Sequence, residues 1–308
     1  TGNNGLIVMN NSYHGNSKLV TEMSTAYPQI NPPTHIEVIE PPNVYRGTYR
    51  RGDSTDEKLG EQYANLVDPA IANLQARGEN LAAFVCDSIF YSNGAIDTPE
   101  NYFQRVADKV HNAGGLMIAD EVQAGICRTG KFWGFEHYGF VPDIVFTGKP
   151  LGSGFPVAAV FTTHEIADKW MARDIYFNTF GGNPVAAAAG KAVLDYAITN
   201  DMADHAATVG QYLQQRLSEL ATKHSIIGNI QGKGLFICVD LVKDRETLEP
   251  ASEVAAQIPE AMKQRGVLIG LTGGLGNCLK FRPPLVVTES DIDKAVAALD
   301  DTLCELTR

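Results

Sequence analysis

At 308 residues, 44% of them hydrophobic, the chain is long enough for two domains of ordinary size, each with its own core and no need of disulfides or a structural metal. Its 25 basic residues are outnumbered by 36 acidic ones, and the resulting net charge of −11 is spread without runs of one sign, which argues against nucleic acid or an anionic membrane as a partner. The five cysteines lie far apart, with no CxxC pair and no zinc-spaced histidines, and read as reduced thiols of a cytoplasmic protein.

No apolar stretch reaches the roughly 18 residues that a membrane helix needs, and the N-terminus has no signal-like core. The first residues, with no initiator Met, run directly into a strand-like segment, Leu6 to Met9, so the chain is expected to begin partway through a larger protein. Between residues 80 and 165, apolar runs at Leu81–Cys86, Leu116–Ala119, Ile144–Thr147 and Val157–Phe161 alternate with helical patterns, as βαβ units of a mainly parallel sheet do. The helix between the first two runs is expected to start with Thr98 as N-cap and Pro99 at its first position and to end at Gly114, with Tyr102, Val106 and Val110 on one face. A further helix is expected from Asn183-Pro184 toward Thr199. From Met202 an amphipathic stripe of Val209, Leu213, Leu217 and Leu220 leads into strand-like runs at Ile226–Ile230, Leu235–Val239 and Leu279–Phe281. A helix around Glu253–Gln264 interrupts these runs, the GGLG stretch at 273–276 reads as a loop, and a capping-box pattern, Thr288 with Asp291, announces a last helix. The expected architecture is α/β: a large domain over 1–205, N-terminally incomplete, with a mainly parallel central sheet, and a smaller α+β domain over 206–308.

Ligands of open parallel sheets sit beyond the carboxyl ends of the strands, where this chain places Asp87, Asp120 and Lys149. Pyridoxal phosphate needs such a pair: an amine to form an imine with its aldehyde and a carboxylate to keep its ring nitrogen protonated, so that the ring withdraws electrons from a carbanion. Taken singly, Asp120-Glu121 as a turn cap and Lys149 as a solvated loop lysine satisfy the same residues.

Together with these positions, the strings YHG (13–15), ADEVQAGICRTGKFWGFE (119–136), PDIVFTGKPLGSGFPVAAV (142–160), FNTFGGNPVAAAAG (177–190) and GKGLFI (232–237) resemble the class III, omega-aminotransferase-like family of fold-type I pyridoxal-phosphate enzymes. The likeness runs in the family's own order over essentially the whole chain. It implies Lys149 as the Schiff-base lysine and proton shuttle, Asp120 as the ring-nitrogen partner, Val122 and Tyr13 on opposite ring faces, His14 beside Tyr13, and Gln123 as donor to the phenolic oxygen. Thr179 is implied as a phosphate ligand offered by the neighbouring subunit of a homodimer, and Arg282 as the arginine that takes a substrate carboxylate. Asp87 stands where relatives carry a glutamate, one methylene longer, near that arginine. The family's N-terminal phosphate-holding loop has no equivalent here, and Gln231, where an arginine is common, implies only a local structural effect.

Three functions remain open from the sequence. The first is an aminotransferase acting on a small amine or amino acid. The second is a phospho-lyase acting on a phosphorylated amino alcohol such as ethanolamine phosphate, which the segment IEPPNVYRGTYR (39–50) resembles and for which Arg46, Arg50 and Arg51 offer charge for a leaving group. The third is a non-catalytic domain of the same family.

Overall fold

The computed structural model describes every residue except Pro28, Ile30 and Arg308. One sheet has six strands, in the order β2-β1-β3-β4-β5-β6: β1 (Gly5–Met9), β2 (Ile36–Ile39), β3 (Leu81–Asp87), β4 (Leu116–Asp120), β5 (Ile144–Thr147) and β6 (Ala159–Thr162). The first five run parallel. Their apolar runs are continuous because both faces are covered: Ile7, Phe84 and Cys86 point into one core cluster, while Val8, Ala83 and Val85 alternate into another on the opposite side. The run expected over Val157–Phe161 forms two residues later and pairs antiparallel with β5, with Val160 opposite Phe146.

Two helices that the sequence reading did not anticipate, Asp56–Ala64 and Val67–Ala76, cover one sheet face together with helix Tyr102–Asn112. That last helix begins four residues after the expected cap at Thr98. Pro99 instead opens a turn closed by Tyr102 N–H onto its carbonyl, and Asn101 takes a left-handed φ of 59°. Close packing explains the shift: a Cβ on Gly60 would lie 1.9 Å from the Glu100 carbonyl oxygen, so the strand-to-helix segment is shaped by its neighbour and not by local capping preference.

The second sheet, β7 (Ile227–Lys233), β8 (Phe236–Leu241), β9 (Gly270–Thr272) and β10 (Cys278–Phe281), is antiparallel in the order β7-β8-β10-β9. Ile237, Val239 and Leu279 bury one face against helices Met202–Lys223 and Glu289–Leu306. Phe236 and Cys238 turn the other face toward Ile89, Ala95 and Ala124 at the carboxyl end of the first sheet. The boundary expected between residues 205 and 206 falls inside helix Met202–Lys223, whose stripe Val209, Leu213, Leu217 and Leu220 is buried as its spacing requires. The helix near Glu253–Gln264 is two short pieces, Ser252–Ala255 and Ile258–Gln264, the second with a proline in its first turn. The Thr288–Asp291 capping box forms as expected. Among the described residues no helix is long and apolar enough to cross a membrane.

Candidate active site

Asp87 ends β3, Asp120 ends β4, and Lys149 follows β5 after Gly148. The register sets Asp87 beside Asp120 and Asp120 beside Phe146, three residues before Lys149, so sheet pairing alone brings the amine and the two carboxylates to one rim. There they line a cleft of about 160 Å³ with Tyr13, His14, Val122 and Gln123. Seven of the nine residues singled out from the sequence thus meet at one place, and Tyr91 joins them.

Asp120 is buried and held at both oxygens. His14 Nδ1 lies 2.8 Å from Oδ2, and Val122 N–H donates to Oδ1 at 3.0 Å. The His14 backbone N–H is in turn fixed to Ser24 Oγ, while its Nε2 is enclosed without a hydrogen-bond partner. Tyr13 packs edge-on against Tyr27, with ring centroids 5.7 Å apart. Partial burial lowers the Lys149 amine below its ordinary pKa, the cations Arg282 and Lys280 add to that effect, and Asp120 and Asp87 oppose it. Burial pushes the Asp87 carboxyl up to about 6, with the Asp120 charge adding to it, although the Tyr91 and Ile89 amides both donate to Oδ1.

The two remaining residues stand apart. Arg282 is exposed and donates to Gln123 Oε1 at 2.7 Å, so it reaches the cleft through the glutamine, with no hydrogen bond to Asp87. Thr179 lies in an exposed loop, outside the cleft lining. Arg46 is committed elsewhere: its guanidinium forks onto Asp240 and also donates to the Leu248 carbonyl, joining the first sheet's side of the molecule to the second sheet. Neither Arg50 nor Arg51 lines the cleft. Gln231 donates to the Gly94 carbonyl at 2.9 Å, across 137 residues of sequence.

Glu121 was read from the sequence only as half of a turn cap with Asp120. Fully buried beside Asp120, it accepts from Ser88 Oγ, from Gly134 N–H at 2.7 Å and from Phe135 N–H at 3.1 Å, locking the loop after β4 under the site. Burial pushes its carboxyl up to about 7. Lys280 was overlooked. It sits opposite Cys238 in the β10–β8 ladder and donates to Tyr91 Oη at 2.6 Å.

An amine, a paired carboxylate, an aromatic ring and a branched aliphatic around a small cleft suit a flat, electron-withdrawing aldehyde cofactor, and comparison with known proteins agrees. The family described as aminotransferase class III matches residues 1–303. An ethanolamine-phosphate phospho-lyase homolog of Caenorhabditis elegans is 40% identical over 98% of this chain and 68% of its own length. A mitochondrial alanine–glyoxylate aminotransferase 2 homolog of Arabidopsis thaliana is 38% identical over 99% of this chain and 62% of its own. Among solved structures, a phospholyase from Arthrobacter in complex with phosphoethanolamine superposes with a TM-score of 0.93 at 37% identity, covering 99% of this chain and 72% of that one. The chain therefore spans roughly two thirds of the length of the curated relatives it matches, 62% to 68%. It belongs to the class III aminotransferases, a family of pyridoxal-phosphate enzymes.

Proposed function

We propose that the cleft holds pyridoxal phosphate and that the chain moves an amino group from a small amine or amino acid to a keto acid or aldehyde. The observation that carries this reading is the opening of Lys149 and Asp120, from adjacent strand ends, into one cleft between Tyr13 and Val122. When bound, the cofactor supplies an aldehyde for covalent attachment to Lys149 and a ring that accepts the electrons released at the amine-bearing carbon. Lys149 Nζ would hold the cofactor and would carry the proton of that carbon, and its lowered pKa raises the neutral fraction that can accept one. Asp120, fixed by His14 and Val122 N–H, would hold a proton on the ring nitrogen. Tyr13 and Val122 would supply the aromatic and branched aliphatic contacts to the ring. Gln123, its carbonyl oxygen taken by Arg282, presents its amide hydrogens to the phenolic oxygen. Arg282, which reaches the cleft through Gln123, is the group offered to a substrate carboxylate.

A second reading is favoured by the likeness to the phospholyase: elimination from a phosphorylated amino alcohol. Loss of the same proton breaks the adjacent carbon–oxygen bond, the phosphate leaves with the electron pair, and water then releases ammonia and an aldehyde.

A second copy of the chain completes the site in this proposal. Ile175, Phe177 and Phe180, which are 95%, 83% and 79% exposed, flank Thr179 in one loop, an apolar surface of the kind that a partner covers. A copy seated there would carry Thr179 to the neighbour's cofactor phosphate. We place the protein in the cytoplasm, which suits its five free thiols.

The test is the absorbance spectrum of the purified chain with added pyridoxal phosphate, before and after borohydride, beside Lys149→Ala. A band that reduction fixes covalently at Lys149 is expected, and released phosphate or a converted acceptor then separates the two reactions. No band in the wild-type chain overturns both in favour of a non-catalytic relative.

A further inference from the structure

Two cations stand beside the cleft with no acid to neutralise them. Lys280 lies on β10 and Arg282 two residues on, so strand alternation puts both on the face turned toward the first sheet, while Leu279 and Phe281 point into the second core. Lys280 is half-buried, and Nζ is tethered to Tyr91 Oη at 2.6 Å while lying 5.0 Å from the centroid of that ring. Arg282 is tethered to Gln123 Oε1 at 2.7 Å. Tyr91 and Gln123 both line the cleft, and both are neutral. Among the described residues neither cation has a carboxylate within 4.0 Å, whereas Arg46, equally near the sheet-to-sheet junction, is fully paired with Asp240. A partly desolvated ammonium without a counter-charge costs free energy that a bound anion recovers.

We propose that Lys280, held by Tyr91, is a specificity-determining residue that works with Arg282 to bind a dianionic substrate group, the phosphate of a phosphorylated amine, at the mouth of the cleft. This rests on the reading of the cleft as a cofactor site that takes amines. A carboxylate needs only the arginine fork. A phosphate monoester carries up to two charges and three acceptor oxygens, which suits a fork and a point charge side by side. The positive charge that lowers Lys149 comes from the same two residues and would be offset when the anion binds.

The experiment compares the cofactor-loaded chain with Lys280→Met, which keeps the stem and removes the charge, and with Tyr91→Phe, which removes only the tether. Spectral titrations use phosphoethanolamine, ethanolamine and alanine, with inorganic phosphate as competitor and pyridoxal phosphate affinity as a separate arm. The expected result is an about tenfold to hundredfold fall in the preference for phosphoethanolamine over ethanolamine in Lys280→Met, with a smaller fall in Tyr91→Phe. Inorganic phosphate should compete in the wild type and lose that effect in Lys280→Met. An equal loss toward all three amines, or a matching loss of pyridoxal phosphate affinity, overturns the proposal, the latter by assigning Lys280 to the cofactor's own phosphate. If no amine perturbs the wild-type spectrum, the cofactor reading fails. Calorimetry of phosphoethanolamine with the same two proteins then still decides the anion site: binding lost in Lys280→Met supports it, and binding absent or equal in both overturns it.

Discussion

His14 Nδ1 lies 2.8 Å from Asp120 Oδ2 across 106 residues of sequence, with the imidazole side chain wholly enclosed. In the proposed function Asp120 faces the cofactor's ring nitrogen, and this bond together with Val122 N–H would aim it. Replacing His14 with Ala is expected to raise the pyridoxal phosphate dissociation constant about tenfold, the ~1.4 kcal/mol of one charge-assisted hydrogen bond, and to move the pH midpoint of the cofactor's absorbance band. Asp120→Asn should cost more than His14→Ala. Cofactor titration across pH measures both, and an unchanged midpoint in His14→Ala would show that Asp120 is aimed without the histidine.

Glu121 sets a pH dependence of stability. Its carboxyl rises from an ordinary 4.5 to about 7 in the fold, so its contribution is complete below about 4.5 and is lost as pH climbs through about 7. The loss is on the order of 3 kcal/mol from a shift of this size. Glu121→Gln cannot ionise, so the melting-temperature gap between wild type and variant is expected to narrow from pH 4.5 to 7.5. Parallel melting curves over that window would refute the assignment.

Arg46 is a stability residue and not a leaving-group ligand. Arg46→Ala strands Asp240, which is buried and also accepts from Asn277 Nδ2 at 3.0 Å. A loss of about 3 kcal/mol is expected, and Arg46→Lys should recover only part of it because an ammonium cannot fork across both carboxylate oxygens. Denaturant unfolding of the three proteins reads this directly. Wild-type stability in Arg46→Ala would refute the role.

Gly210 lets helix Met202–Lys223 touch the turn between β7 and β8: a Cβ there would lie 2.2 Å from the Gly234 carbonyl oxygen. Because the obstacle is backbone, Gly210→Ala is expected to destabilise by about 2 kcal/mol or more despite its better helix propensity, as thermal unfolding would show. Unchanged unfolding would mean that the helix can shift freely.

The parallel strands were legible because burial on two faces makes their apolar runs continuous, and Asp87, Asp120 and Lys149 drew attention because each stands at the carboxyl end of such a run, whereas Tyr13, His14, Val122 and Gln123 were picked out only by the family resemblance. β2 escaped notice because its four residues, Ile-Glu-Val-Ile, are too few to show a period, and β9, with three, for the same reason. The Tyr102 helix misled through its Thr-Pro start, since the strength of a local cap is outweighed by contact with Gly60. Glu121 and Lys280 could not be found from spacing. Glu121 takes its meaning from amides 13 and 14 residues on, and Lys280 from a phenol 189 residues away. Such partners exist only once both sheets are formed.

The two sheets separate chemistry from choice. Lys149 and Asp120 are tied to each other by the β4–β5 register, so their spacing cannot drift without unpairing a buried sheet. Lys280 on β10 and the exposed Arg282 just beyond it can accept substitution while the register behind Lys149 stays intact. On the proposed roles, a lineage built this way would trade one amine for another, or transfer for elimination, by editing a few side chains on the second sheet while inheriting Lys149 and Asp120 unaltered.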